Sequence, residues 1–167
     1  MKDDEAETIA KAKSLRAQLD HLLERFRGDT IIGDQGDDTG IIIEEVRVAL
    51  TEEFVVLLSQ YTQQVLQKAV LMTFDESKRL PIHLACDKNA PLSILQSLLN
   101  ADVDKMSIRI PDKWGDLPLH TAASRHQTEV VKLLVESDIT KKTLYTKADN
   151  GSLPIHAGEC FTIYGLI

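Results

Sequence analysis

The sequence predicts an all-α protein in which helix–turn–helix units stack into a short solenoid, with additional helices covering its N-terminal end. Two observations lead to this prediction. One short string occurs three times, as Leu-Pro-Ile-His at 80–83 and 153–156 and as Leu-Pro-Leu-His at 117–120. The histidines of the three copies are 37 and then 36 residues apart. A constant period in this range is typical of repeat architectures.

Each unit contains two helices joined by turns. Pro81 and its counterparts suit the first turn of a helix, where a missing N–H costs nothing. A second helix is predicted over 92–100 in one unit and over 128–136 in the next, because apolar residues recur there at helical spacing. Gly115 and Gly151 occupy turns that need positive φ. Since one unit cannot cover its own apolar face, the units must stack.

At these residues the sequence resembles the ankyrin repeat family, whose units of about 33 residues carry a Thr-Pro-Leu-His-x-Ala core. The resemblance covers residues 75–157. Leucine replaces the threonine in all three copies, which removes an N-cap hydroxyl typically worth about 0.5–2 kcal/mol. We expect Asp116 and Ser152 to supply part of that cap. Asn89 and His126 stand where the family usually has glycine.

The resemblance implies a protein–protein interaction module or adaptor that holds partners on a concave face made by the turns and the first helix of each unit. Trp114 is the sharpest candidate contact, because it is the only tryptophan and lies in a turn. The alternative is that its ring packs on Ile110 or Tyr145. Carried over by position, the candidate partner-binding residues are Asp112, Lys113, Trp114, Asp149, Asn150, Asp87, Lys88, Ser124 and Arg125.

The repeated histidines, His83, His120 and His156, invite a metal or catalytic interpretation. Stacked helices lie about 8–10 Å apart, whereas zinc ligands lie within about 2.0–2.3 Å of one ion. Equivalent histidines therefore cannot share a metal. In the family this histidine forms hydrogen bonds between neighbouring turns, and we expect the same here. Since nucleophile, phosphate-loop and zinc-protease motifs are missing from the sequence, we expect no enzyme, metal or cofactor.

Composition restricts the partners further. The net charge of −7 lies entirely in residues 1–75, which hold 8 Lys and Arg against 15 Asp and Glu, while residues 76–167 hold 11 of each. This balance argues against nucleic-acid binding. No apolar run reaches 18 residues and the first 25 are charged throughout, so neither a membrane span nor a secretory signal is expected. Two cysteines make no disulfide framework, which favours an intracellular protein, cytoplasmic or nuclear.

Three segments are predicted before the repeats. Residues 1–27 form an amphipathic helix that packs on the body of the protein or, alternatively, self-associates. Residues 28–40 form an acidic, Gly-rich linker. Residues 41–74 form one capping helix, or two helices broken near Thr51, that cover the first repeat or bind a partner. The first helix has polar residues off its apolar stripe: Lys11, Arg16, Asp20 and Glu24.

The repeats are expected to occupy 75–167, divided into 75–111, 112–147 and an incomplete unit at 148–167. The incomplete unit leaves several apolar residues without an evident partner. An alternative interpretation is therefore that the chain is a structural fragment of a larger repeat protein.

A weaker alternative is a calcium-responsive regulator that uses residues 34–45. Asp34, Asp38 and Glu45 have the spacing of positions 1, 5 and 12 of an EF-hand loop. Gly36 offers no side-chain oxygen at position 3, however, and Thr39 replaces the glycine of position 6. The linker interpretation is therefore preferred.

Overall fold

The computed structural model describes residues 2–26, 39–73 and 76–157. Within these ranges every regular element is helical and no strand is present, which confirms the predicted all-α class. The α-helices are α1 (Lys2–Arg25), α2 (Thr39–Ser59), α3 (Gln63–Val70), α4 (Pro81–Asp87), α5 (Leu92–Ala101), α6 (Pro118–Ser124) and α7 (Thr128–Ser137). Short 3-10 helices lie at Ser107–Arg109, Lys142–Tyr145 and Pro154–His156.

Two layers of the stack are contiguous helix pairs, α4 with α5 and α6 with α7. The inner helix α4 packs on the inner helix α6, and the outer helix α5 packs on the outer helix α7. Ala85 and Ala122 are fully buried on the inner helices, where small side chains permit close helix approach. Leu, Ile, Val and Ala side chains form one continuous core from α1 to α7. This is the solenoid that the repeated string predicted.

The layer before these two is assembled from helices that are distant in sequence. α1 packs on α3 within the layer and on α4 of the next layer, while α3 packs on α5. Leu15, Leu19 and Leu23 of α1 are fully buried in the core. The amphipathic helix predicted over 1–27 therefore packs on the body of the protein. The first repeat, which residues 41–74 were predicted to cover, packs against α1 as well as against the two helices of that segment, α2 and α3.

A buried arginine fixes α1 in this layer. Arg16 is 1% exposed, although the sequence placed it off the apolar stripe. Its Nε donates to the carbonyl of Met72 at 2.9 Å, and its Nη2 donates to the carbonyl of Arg79 at 2.9 Å. It also pairs with Asp20, one turn further along α1. These contacts tie α1 to the segment that leads into α4.

The segment 41–70 forms two helices, and the break lies at 60–62 rather than near residue 50. Thr51 is inside α2 and does not act as an N-cap. Its hydroxyl donates instead to the carbonyl of Arg47, one turn earlier, at 2.8 Å. This local bond keeps the hydroxyl satisfied within the helix. Leu50 and Phe54 are buried on the side of α2 that packs on α1 and α5.

Several predictions fall outside the described residues. The linker at 28–40 does so except for its last two residues, which begin α2. Of the calcium-loop residues, Asp34 and Asp38 lie outside, whereas Glu45 is exposed on α2. The chain from 158 to 167, which completes the predicted third unit, also lies outside.

Candidate functional site

The repeated histidines connect neighbouring units through their ring nitrogens. Nδ1 of His83 accepts the backbone N–H of Leu80 at 3.2 Å, and Nε2 lies 3.2 Å from the carbonyl oxygen of Asp116 in the next turn. His120 repeats this arrangement with Leu117 N at 3.1 Å and Ser152 O at 3.2 Å. Because Nδ1 accepts, Nε2 must carry the proton and donate. The structural role expected for the histidines is present in the geometry.

This arrangement also supplies one half of a capping box at the start of each inner helix. Neither Asp116 nor Ser152 provides a side-chain cap, contrary to our expectation; their backbone carbonyl groups accept from the histidines of the preceding unit. The histidine at the third helical position accepts from the N-cap N–H, as a capping-box side chain does. Burial lowers the pKa of His83 to about 4, and burial also lowers the pKa of His120. Both imidazoles are therefore neutral at pH 7.

The turns between units are held in register by the backbone. The N–H of Lys113 donates to the carbonyl of Ser77 at 2.9 Å, and the N–H of Asp149 donates to that of Trp114 at 3.0 Å. Asp112, predicted to be an exposed tip, is only 7% exposed. One of its oxygens accepts the N–H groups of Trp114 and Asp116 at 2.8 and 3.0 Å. Asp112 therefore shapes the turn from inside.

Trp114 lies at the tip of its turn and remains 47% exposed. The ring contacts that the structure shows are with cations. Nζ of Lys113 lies 4.4 Å from the ring centroid, and Cζ of Arg79 lies 5.3 Å from it. Such cation–π contacts orient the ring while leaving part of it open to solvent.

A polar groove runs between the turns and the C-terminal ends of the inner helices. Its volume is about 610 Å³, and it is open to solvent. Four predicted partner-binding residues line it, namely Asp87, Ser124, Arg125 and Asn150. The other lining residues come from the same structural positions of the three units: Arg79, Asp116, His120, Thr121, Ser152, His156 and Ala157.

An ion-pair network on Asp87 connects the units across this groove. Its two oxygens accept from Arg79 at 3.5 Å and from Arg125 at 2.5 Å. Nζ of Lys88 lies 3.9 Å from the same carboxylate and 2.9 Å from a carboxylate oxygen of Glu24 on α1. Lys88 thus joins the inner helices to α1 and is not a lining residue of the groove. Arg125 is the most exposed of the three cations.

The groove therefore brings together part of the predicted set. Lys113, Trp114 and Asp149 are exposed at the turn tips, whereas Asp112 is buried. Sequence reasoning missed Arg79, which contacts both the tryptophan ring and the Asp87 carboxylate. A signal for it existed, because Arg79 stands directly before the Leu-Pro string, at the position that Asp116 and Ser152 occupy in the later copies.

The described residues contain no group of three or more His, Cys, Asp or Glu side chains arranged to hold a metal ion. Nor does any helix in the described ranges have the length and apolar character needed to cross a bilayer.

Inner and outer helices in register, joined by hydrogen-bonded turns, define a stacked helical-repeat protein. The family model for ankyrin repeats in three copies matches residues 51–143, more than half of the chain. The chain belongs to the ankyrin repeat family, as the Leu-Pro-x-His strings indicated. The match begins within α2, ahead of the first predicted unit. A comparison with curated proteins gave no match. Ankyrin repeats generally act as protein–protein interaction modules and are typically not enzymes.

Proposed function

We propose that the protein is an adaptor that binds a partner protein in the concave groove and along the turn tips. The observation that carries this proposal is the open polar groove of about 610 Å³, lined by side chains from successive units. A partner segment lying in it meets Arg125 and Asn150 from different layers. Trp114 at the nearby turn tip adds the kind of half-exposed aromatic side chain that is enriched in interface hot spots.

The positions of the charged groups support recognition by polar contacts. Arg125 is about half exposed, and the contact that the structure shows for its guanidinium is a single oxygen of Asp87. A guanidinium has five N–H donors, so most of its donors remain for a partner. We also propose an intracellular location, cytoplasmic or nuclear, because two cysteines in 167 residues make no disulfide framework.

The test compares the wild-type chain with a Trp114→Ala, Arg125→Ala double variant. Each of the two forms is used as bait, and the proteins that it captures are identified by quantitative mass spectrometry. A captured partner is then purified and titrated directly against both forms. We expect the double substitution to weaken binding by about 2 kcal/mol or more, because it removes an aromatic and an arginine anchor. Ile139→Ala is the matched control, since Ile139 is 91% exposed and is not a lining residue of the groove.

Circular dichroism and thermal melting establish that the variants are folded. Partner binding that survives the double substitution contradicts the proposal. So does a loss of affinity that merely follows a loss of thermal stability, because it assigns the two side chains to folding rather than to recognition.

A further inference from the structure

α2 has apolar side chains on both of its faces. Leu50 and Phe54 are buried against α1 and α5, but Val48 and Val56 are 49% and 56% exposed. A surface helix normally directs charged and polar residues outward. The exposed valines therefore mark a surface that the described chain does not use for its own packing.

A second groove lies between α1 and the side of α2 that carries Val56. Its volume is about 800 Å³, and Leu22 and Leu57, both nearly buried, are among its lining residues. Small residues, Ala17 on α1 and Ala49 on α2, contribute to its walls and permit close backbone approach. The lining residues extend from 14 to 25 on α1 and from 49 to 60 on α2. At about 1.5 Å per residue, this is roughly three turns of helix.

The charge along the α2 wall is acidic. Glu52 lines the groove, and Glu45, which is not a lining residue, lies seven residues earlier on the same face of α2; both are exposed. Ala49 and Val56 alternate with them, also seven residues apart. Near the end of the groove, Glu53 is paired with Arg25 at 2.9 Å, which neutralises that carboxylate. What remains is an apolar row interrupted by acidic groups.

The exposed carboxylates on α2 favour an occupant that carries basic side chains. Two copies of the chain, paired antiparallel through α2 about a two-fold axis at Glu52, bring this carboxylate against its own counterpart, and residues 1–75 carry a net charge of −7. Like charges at an interface cost several kcal/mol. A helix from another protein that places Lys or Arg against Glu52 does not meet this repulsion, and it can still cover Val56.

We propose that the α1–α2 groove is a second docking site, which binds an amphipathic helix of a partner protein. The partner helix places small apolar side chains against Ala49 and Val56 and a lysine or arginine against Glu52. Helix-in-groove recognition of this type uses anchors at three- and four-residue spacing. The site shares no lining residue with the concave groove, so the two sites are separable by mutation.

The probe for this site is a display library of 21-residue helical peptides with one randomised face, selected on the full-length protein. Val56→Asp places a charge in the groove. Val55→Asp is the matched control, because Val55 is equally apolar and 46% exposed but does not line the groove. Both substitutions are at exposed positions, and circular dichroism verifies the fold of each variant.

We expect selection on the wild type to enrich basic amphipathic peptides that lose about tenfold or more in affinity for Val56→Asp and keep their affinity for Val55→Asp. Selection on Glu52→Lys should enrich acidic peptides instead. The proposal is overturned if no peptide discriminates the two valine variants, or if the charge preference does not reverse. A wild-type dimer that Val56→Asp dissociates also overturns it, because a second copy would then occupy the groove. The Trp114, Arg125 double variant should bind these peptides normally, which separates this test from that of the concave groove.

Discussion

Lowering the pH should destabilise the protein before its carboxylates protonate, because His83 is buried as a neutral ring. Its pKa is lowered to about 4 by burial, from an unfolded value near 6.5. Below pH 6.5 the unfolded chain binds a proton that the folded chain excludes. The stabilising contribution is therefore complete above pH 6.5 and declines as the pH falls towards 4. For one such group the free energy of unfolding falls by about 2 kcal/mol between pH 7.5 and 5.0.

The assay is urea denaturation of the wild type and of His83→Asn at several pH values from 7.5 to 5.0. An asparagine oxygen can take the place of Nδ1 as acceptor for the Leu80 N–H but does not titrate. We expect the variant to be less stable at pH 7.5 and to lose about 2 kcal/mol less on acidification. His126→Asn is the matched control at an exposed position, where the pH dependence of the wild type should persist. Equal pH dependence of the wild type and His83→Asn would refute this reasoning.

The turn position that Lys78, Gly115 and Gly151 share gives three further predictions. A Cβ on Gly115 would lie 2.6 Å from the backbone nitrogen of Asp149, and φ there is +78°. Gly115→Ala should therefore lower the free energy of unfolding by about 2 kcal/mol or more, because it also disturbs the Asp149–Trp114 hydrogen bond. Gly151 has φ of +82° and open space around it, so Gly151→Ala should lower the free energy of unfolding by only about 1 kcal/mol. Equal losses for the two variants in urea denaturation would argue against the close contact between Gly115 and Asp149. Lys78 occupies the same turn position in the first unit, with φ of 54°. Lys78→Gly should therefore raise the melting temperature, because it relieves about 0.5–1 kcal/mol of backbone strain. An unchanged or lower melting temperature would contradict this.

The stacked layers could be predicted because their signals are local. Pro81 and Pro118 begin helices, and the spacing of the strings fixes which helices face each other. The first layer gave no such signal. Periodicity marks α1 as amphipathic, but nothing local specifies that its partner is α3, with a third helix between them in the chain.

The candidate groove was predicted in part for a related reason. Residue position within a repeat identifies which side of a helix is concave, and Ser124 and Arg125, which were predicted to lie there, line the groove. Burial within a turn depends on side-chain hydrogen bonds, which periodicity does not reveal. Asp112 is therefore buried inside the turn at whose tip it was expected to be exposed. Arg16 is buried because backbone carbonyl groups of a distant segment accept its hydrogen bonds.

The pairing of α1 with α3 has a kinetic consequence. A contact between segments so far apart along the chain closes a long loop. The chain loses conformational entropy when this loop closes, before the contact begins to stabilise the fold. The pairs α4–α5 and α6–α7 close only short loops. We therefore expect folding to begin in the contiguous pairs and to end when α1 docks. In native-state hydrogen exchange, the amides of α1 should then exchange through a separate opening with a lower free energy. Those of α4 to α7 should exchange only through global unfolding.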